Sequence, residues 1–209
     1  MQYVARKGEM TAQQKKHREG FMKTGKLNFT RGTGLGLVVA VVLLLAGCGT
    51  TAIVHKPADS VSVFDRYQTL TIKSSAAEGV VVSDLAQERV KDLVKANIAA
   101  KYCPHRFQSI TIKEPGENDL VLLINYTTYN EGNKFERLML AGLGGIKIHS
   151  DVVLKTSASD DPISKAEVGK TFRWGGIYGA TTDMTEVEKW FADEVAKTFS
   201  GMIGMKKKE

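Results

Sequence analysis

The sequence predicts an α+β domain, a two-layer sandwich in which a mixed sheet of about five strands carries two helices on one face. Stretches with a two-residue period alternate with stretches of helical period in the order β-α-β-β-β-β-α. Each helical stretch is apolar along one side, as expected of a helix that covers a sheet. The length of 209 residues, with 43% hydrophobic residues and four Pro, fits one globular domain of ordinary size.

The first strand and the first helix are predicted between residues 66 and 103. Residues 66–73 alternate Tyr and Thr with Leu and Ile, which is a strand pattern. Ser83 offers an N-cap, and apolar residues recur at helical spacing from Ala86 to Ile98. Cys103 precedes a proline and is therefore pushed out of the α region, so the helix is expected to end there.

Four more strands and a second helix follow, with the strands predicted over residues 107–113, 119–130, 146–155 and 163–174. The strand 119–130 is apolar on both sides in its first half, which indicates burial, and its half-polar end is expected at a rim. The last helix carries an apolar stripe from Val187 to Met202. Thr185 and Glu188 are predicted to form its capping box.

The net charge of +6 belongs to the start of the chain. Residues 1–47 hold eight Lys or Arg and two Asp or Glu side chains, so residues 48–209 hold 21 of each and are neutral. A nucleic-acid-binding domain needs a lasting basic surface to neutralise phosphates, which argues against that class of function. The Lys-rich tail, residues 204–209, is expected to be solvated.

Residues 35–47 read LGLVVAVVLLLAG and carry no charge. About 20 apolar residues are needed to span a bilayer, so this stretch and the basic residues before it predict a secretory signal peptide over residues 1–47. Leu45-Ala46-Gly47-Cys48 resembles the bacterial lipobox, in which the cysteine is diacylated and becomes the mature N-terminus. An incidental cysteine after an ordinary signal peptide is the alternative. Because residues 1–21 are polar and mixed in charge, translation from Met22 is a further hypothesis.

Lipidation of Cys48 predicts the location and layout of the mature protein. Two acyl chains hold a protein stably at a membrane, and Gly49, in place of Asp, resembles the sorting pattern of outer-membrane lipoproteins facing the periplasm. Residues 48–64 are predicted to be a lipidated N-terminus and tether, followed by a single domain over residues 65–203. Cys103 is left without an intrachain partner and is expected to be buried.

The second half of the chain resembles a bacterial lipoprotein family called domain of unknown function 4410. The resemblance rests on the strand 119–130, the Gly132-Asn133 turn, Arg137 and the glycines at 142, 144, 145, 169, 175 and 176, and it covers residues 66–202. Leu143 interrupts the family's glycine run. The resemblance implies a small α+β domain of the cell envelope and supplies no activity.

No motif in the sequence predicts an enzyme, a cofactor or a metal site. The glycines around Leu143 lead into a strand and lack the lysine of a phosphate loop, so they predict a bulge or a close backbone approach. His55, His105 and His149 lack the spacing of metal ligands. His149 and Asp151 share one strand face, but no G-x-S-x-G places a nucleophilic serine near them.

Aromatic and polar residues gather near two turns and form the predicted binding site: Tyr126, Tyr129, Asn133, Arg137, Arg173, Trp174 and Tyr178. Tyr, Trp and Arg are common anchors of protein interfaces, although Arg137 could instead pair with Glu131 or Glu136. The predicted function is a lipid-anchored, non-enzymatic periplasmic domain that binds an envelope protein or polymer, as an assembly accessory. The alternative is a small hydrolase or ligand-binding protein with its site in the loop 174–182.

Overall fold

The structure is a computed structural model that describes residues 48–56, 58, 61–140 and 143–205. The predicted signal peptide, the start at Met22 and the lysines of the C-terminal tail lie outside the described residues. Within them the strands are β1 (Cys48–Lys56), β2 (Thr69–Ala76), β3 (Ser109–Thr111), β4 (Leu120–Asn130), β5 (Ile146–Thr156) and β6 (Ser164–Phe172). The α-helices are α1 (Asp84–Asn97), α2 (Lys134–Met139), α3 (Gly176–Thr181) and α4 (Met184–Met202).

The predicted α+β class is confirmed. The described strands form one mixed sheet in the order β1-β6-β5-β4-β2-β3. β2 lies parallel to both β3 and β4, because α1 carries the chain back across the sheet between β2 and β3, while the other pairs are antiparallel. The core lies between one face of the sheet and the two long helices, α1 and α4.

The two long helices bury the sides that the sequence predicts. In α1, Ser83 is the N-cap and accepts a hydrogen bond from the Ala86 amide. A π-helical turn, Ile98–Tyr102, continues α1 as far as the predicted end at Cys103. Cys103 is buried and free, as predicted, and burial raises the pKa of its thiol to about 11.

The N-terminus of α4 differs from the prediction. Asp183 is the N-cap, and its carboxylate accepts a hydrogen bond from the Glu186 amide at 3.0 Å. The predicted capping box of Thr185 and Glu188 is therefore wrong. The cap lies two residues earlier, so Glu186 occupies the third helical position, and the Glu188 side chain is fully buried in the core.

The segment predicted to be a tether contains a strand. Cys48–Lys56 pairs antiparallel with β6 from its first residue, with Cys48 opposite Phe172. The β-branched residues of this segment favour extended backbone. The strand shows no apolar alternation, because it is an edge strand whose described side chains are exposed.

Two short helices occupy places where the sequence predicts turns. Asn133 caps α2, since its side-chain oxygen accepts hydrogen bonds from the amides of Phe135 and Glu136. The helix α3 follows β6 after a short connection that begins at Arg173. Six residues are too few to show a helical period. None of the helices in the described part of the chain is long and apolar enough to span a membrane.

Candidate functional site

The predicted binding residues cluster at one end of the sheet. β4 ends at Asn130 opposite Lys147, and β6 ends at Phe172, opposite both Ile146 of β5 and Cys48 of β1. The helices α2 and α3 follow these two strand ends and pack against each other. We call this the α2–α3 end of the sheet.

Four aromatic rings form a continuous row at this end. Trp190 of α4 lies 5.8 Å from the ring of Phe172, and Phe172 lies 5.8 Å from Tyr178 of α3. Tyr178 in turn meets Trp174 edge-on at 5.9 Å. Edge-to-face contacts between aromatic rings are favourable at these centroid separations. The row therefore runs from the core, at Phe172, to the surface, at Trp174.

The aromatic row and Lys170 line an open cleft of about 410 Å³, which we call the aromatic cleft. The Lys170 ammonium lies 5.9 Å from the Trp190 ring centroid and donates a hydrogen bond to Thr50 Oγ1. The cleft thus joins an apolar floor to one cation. Such a combination of aromatic surface and a few polar groups is typical of binding sites.

Arg137 is buried beneath this end and connects its loops. Its guanidinium donates hydrogen bonds to four main-chain carbonyl oxygens, those of Gly179 (2.7 Å), Glu131 (2.9 Å), Gly144 (3.1 Å) and Thr182 (3.3 Å). Burial without a carboxylate at hydrogen-bonding distance lowers the pKa of Arg137 from its usual value. Arg137 therefore links α2, the glycine segment before β5 and α3 into one unit.

Two glycines make this packing possible. A Cβ on Gly179 would lie 1.9 Å from the Trp174 carbonyl oxygen, so α3 packs on the preceding turn only with glycine there. Gly132 has a φ of +66°, and a Cβ on it would lie 2.0 Å from the Gly144 oxygen. Gly144 and Gly145, beside Leu143, are close backbone approaches as the sequence predicts, because a Cβ would lie 2.8 Å from the Asn133 oxygen and 2.5 Å from the Phe172 oxygen, whereas a Cβ on Gly176 would meet nothing within 4 Å.

A second polar cluster lies inside the domain, beside the aromatic row. The fully buried carboxylate of Glu188 accepts hydrogen bonds from Arg89 Nε (2.5 Å), Arg89 Nη2 (2.8 Å) and the Tyr129 hydroxyl (2.5 Å). The hydrogen bond to Glu188 raises the pKa of Arg89. Burial, and then the bond to Glu188, raises the pKa of Tyr129. The cluster ties α1, α4 and β4 together.

A β-bulge explains why both tyrosines of β4 face the helices. Tyr126 pairs with Ser150 and Thr128 pairs with His149, so Thr127 is an extra residue in the strand. The bulge shifts the alternation by one residue, which brings Tyr126 and Tyr129 to the same face with their rings 5.9 Å apart. Small Ser150 faces the Tyr126 ring, which explains a serine in the apolar row of β5.

The seven predicted binding residues therefore divide into fully buried, half-buried and exposed side chains. Tyr126 and Arg137 are fully buried, and their assignment to an exposed surface is wrong, because the bulge and the carbonyl contacts turn them inward. Tyr129 is half-buried on Glu188. Arg173, Trp174 and Tyr178 are exposed together at the α2–α3 end, and Asn133 and Arg173 line an open cavity of about 460 Å³.

Lys170 and Glu188 belong to these sites although neither is among the predicted binding residues. Lys170 stands two residues from Val168 and two from Phe172, so strand alternation places it on the core face. Glu188 precedes Phe191 by three residues and follows Met184 by four, which places it on the buried side of α4. In both cases the signal in the sequence is a charged residue at a position where the strand or helix period predicts an apolar side chain.

His149 and His55 both contact polar side chains of β6. His149 Nε2 lies 3.4 Å from Thr171 Oγ1, and Asp151 pairs in register with Glu167 of β6. His55 contacts Glu167 at 3.1 Å. Among the described residues no three His, Cys, Asp or Glu side chains are grouped as metal ligands would be.

Comparisons with known proteins give a resemblance of fold only. No family model matches the chain, and no curated protein matches it. Two structures of a PelC dodecamer from Paraburkholderia phytofirmans are each 9% identical, with TM-scores of 0.45 and 0.43, and the alignments cover 73% of this chain and 97% and 98% of theirs. A Xanthomonas campestris protein of the domain of unknown function 330 family is 14% identical over 72% of this chain and 85% of its own, with a TM-score of 0.36. Similarities of this size identify neither a function nor an assembly.

Proposed function

We propose that this chain is a lipid-anchored lipoprotein of the bacterial outer membrane, facing the periplasm, with a non-enzymatic domain that binds a partner through the aromatic cleft. The observation that carries the binding function is the aromatic row itself. It places two exposed aromatic side chains, Trp174 (44% exposed) and Tyr178 (53% exposed), on a support of core residues. The lipid anchor rests on the lipobox ending at Cys48.

The cleft has the properties of an interface anchor. Interfaces are enriched in Trp, Tyr and Arg, and a few such residues at the centre supply most of the binding energy. Trp174 and Tyr178 are held by Phe172 and by the packing of Gly179 against the Trp174 carbonyl. A rigid site loses little conformational entropy on binding, which favours affinity.

An envelope protein is the partner that these residues favour. The cleft is open and joins aromatic rings to the cation Lys170, and exposed Arg173 adjoins Trp174 in the sequence, a composition that suits a protein segment with apolar and acidic side chains. An envelope polymer is the other outcome of the test below.

Replacing Cys48 with Ala is expected to abolish the incorporation of labelled palmitate and to release the protein from membranes. The reason is that the acyl chains on this residue supply the attachment. Metabolic labelling and membrane fractionation measure both effects. Cys103→Ala is the matched control and should leave labelling unchanged. Full labelling of the Cys48→Ala protein would refute lipidation at this site.

Replacing Arg173 and Trp174 together with Ala is expected to weaken partner capture about 30-fold, the effect of removing an interface hot spot of about 2 kcal/mol. The measurement is quantitative crosslinking and pull-down from intact envelopes with the lipidated protein, followed by mass spectrometry of the captured material. Protease or glycan-hydrolase treatment of the captured material separates a protein partner from a polymer.

The control for this experiment is Ile53→Ala, which removes a side chain of similar exposure (52%) from the edge strand β1. Both variants should keep the melting temperature of the original protein within a few degrees. Undiminished capture by the Arg173→Ala, Trp174→Ala protein would argue against the cleft. A large fall in its melting temperature would instead show that these residues belong to the core.

A further inference from the structure

The exposed apolar residues are concentrated at one end of the domain. Among the described residues, twelve large hydrophobic side chains are exposed, and ten of them follow strand ends at the α2–α3 end of the sheet. Two follow β2, five lie between residues 135 and 143, and three lie between residues 174 and 178. We call these residues, apart from Trp174 and Tyr178 of the aromatic cleft, the apolar end surface. The other two, Ile53 and Val54, lie on β1.

Such a concentration requires an explanation. Soluble monomers rarely expose large continuous apolar patches, and those that do generally use them to bind a protein or a membrane. Phe135 is 66% exposed, Met139 63% and Ile177 79%. These three project from α2 and α3, whose packing is fixed internally by Arg137, so their exposure is not needed to hold the helices in place.

The position of Cys48 indicates what covers this surface. β1 begins at Cys48, and that residue pairs with Phe172, two residues before Trp174. The backbone of the lipid-bearing residue is therefore fixed to the sheet at the same end as the apolar end surface. With no tether between anchor and domain, the acyl chains on Cys48 would hold this end of the sheet against the bilayer.

We propose that the apolar end surface is a membrane-docking face, which rests on the bilayer that holds the acyl chains of Cys48. Phe135, Met139 and Ile177 enter the boundary between headgroups and acyl chains. Trp174 lies at the headgroup level, where amphipathic aromatic rings accumulate. The aromatic cleft, which opens between α3, β6 and α4, then faces a partner close to the membrane. This inference rests on the lipid anchor of the proposed function.

Docking of this kind is apolar rather than electrostatic. Exposed Lys134 and Arg173 adjoin the surface, but Glu131 and Asp183 lie exposed beside them, and exposed Glu78 and Asp84 flank Val81 in the sequence. The acidic side chains outnumber the basic ones, so attraction to anionic lipids contributes little. Docking is therefore expected to persist at salt concentrations near 1 M, at which the Debye length is about 3 Å.

Spin labelling of the lipidated protein tests the docking directly. Single cysteines introduced as Met139→Cys and Ile177→Cys, each with Cys103→Ala, carry the nitroxide, and Val54→Cys, on β1, is the matched control (46% exposed). The protein is reconstituted through its own acyl chains into phosphatidylethanolamine–phosphatidylglycerol vesicles. Labels at 139 and 177 should collide more often with oxygen than with a water-soluble nickel complex, and the label at 54 should show the reverse.

The outcomes separate the anchor from the docking. Acylated Cys48 with nickel-accessible labels at both 139 and 177 overturns the docking and leaves the lipid anchor intact. A different result would be labels that are water-accessible in vesicles and shielded from both oxygen and the nickel complex in native envelopes. That result overturns the membrane docking in favour of a protein that covers the surface. A mature protein without the acyl mass on Cys48 overturns both the anchor and the docking.

Discussion

Replacing Glu188 with Ala is expected to lower the free energy of unfolding by about 3 kcal/mol. Removing one member of a buried ion pair leaves its partner uncompensated, and here two partners lose their acceptor. The Tyr129 hydroxyl and two nitrogens of Arg89 donate to this carboxylate. The loss lies at the low end of the usual range because the Arg89 side chain is 36% exposed and can regain water.

The opposite replacement, Arg89→Met, should cost more than Glu188→Ala. It leaves a carboxylate with no exposed surface and only the Tyr129 hydroxyl as a neutral donor. The combined variant Arg89→Met, Glu188→Leu should recover a large part of the loss, since buried ion pairs can often be replaced by apolar residues of similar volume without net cost. A larger loss of unfolding free energy in Arg89→Met than in Glu188→Ala is therefore the result expected from the full burial of the Glu188 carboxylate.

Urea denaturation followed by circular dichroism measures these differences, and Lys189→Ala, an exposed neighbour on α4, is the control. That control should change the free energy of unfolding by less than about 0.5 kcal/mol. If both single variants at the pair behaved like the control, the pair would contribute nothing to stability.

The part of the fold that the sequence predicts is the part that is buried on a regular period. β2, β4, β5 and β6 have buried residues that alternate or run continuously, and α1 and α4 have apolar stripes, so local pattern and tertiary environment agree. β1 lies in a segment predicted to be a tether, because the side chains of an exposed edge strand do not alternate between apolar and polar. α2 and α3 depart from the prediction because a helix of six residues spans less than two turns.

The candidate site was predictable only in part, for two physical reasons. The side on which Tyr126 and Tyr129 lie depends on a bulge at Thr127, and nothing local in a Tyr-Thr-Thr-Tyr sequence reveals one extra residue in a strand pairing. Arg137 looked like a surface anchor because arginine is seldom fully buried. Its four acceptors are main-chain carbonyls from three places in the chain, residues 131, 144 and 179–182, which only the folded structure brings together.

Replacing Arg137 with Met is expected to have the second large effect, a loss of about 3 to 5 kcal/mol or local opening of the α2–α3 end. A hydrogen bond from a charged donor contributes about 1.5 to 3 kcal/mol, and four carbonyl oxygens lose theirs together. Part of this loss is offset because Met needs no desolvation of a charge. Arg137→Lys should give little rescue, since one ammonium lacks the fork that reaches several oxygens at once.

Hydrogen exchange distinguishes local opening from uniform destabilisation. The amides of Leu140 and Thr182, which bond to Glu136 and Tyr178 within the two short helices, should lose protection in Arg137→Met, whereas amides in α1 should keep theirs. Arg173→Met, a change of the same type at an exposed arginine of the same end, is the control. Unchanged protection at both amides would show that the carbonyl contacts are dispensable.

Loss of protection would couple stability to binding, because Arg137 bonds Gly179, whose packing on the Trp174 carbonyl positions both exposed rings of the aromatic cleft. Partner capture should then fall in Arg137→Met although Arg137 itself touches no partner.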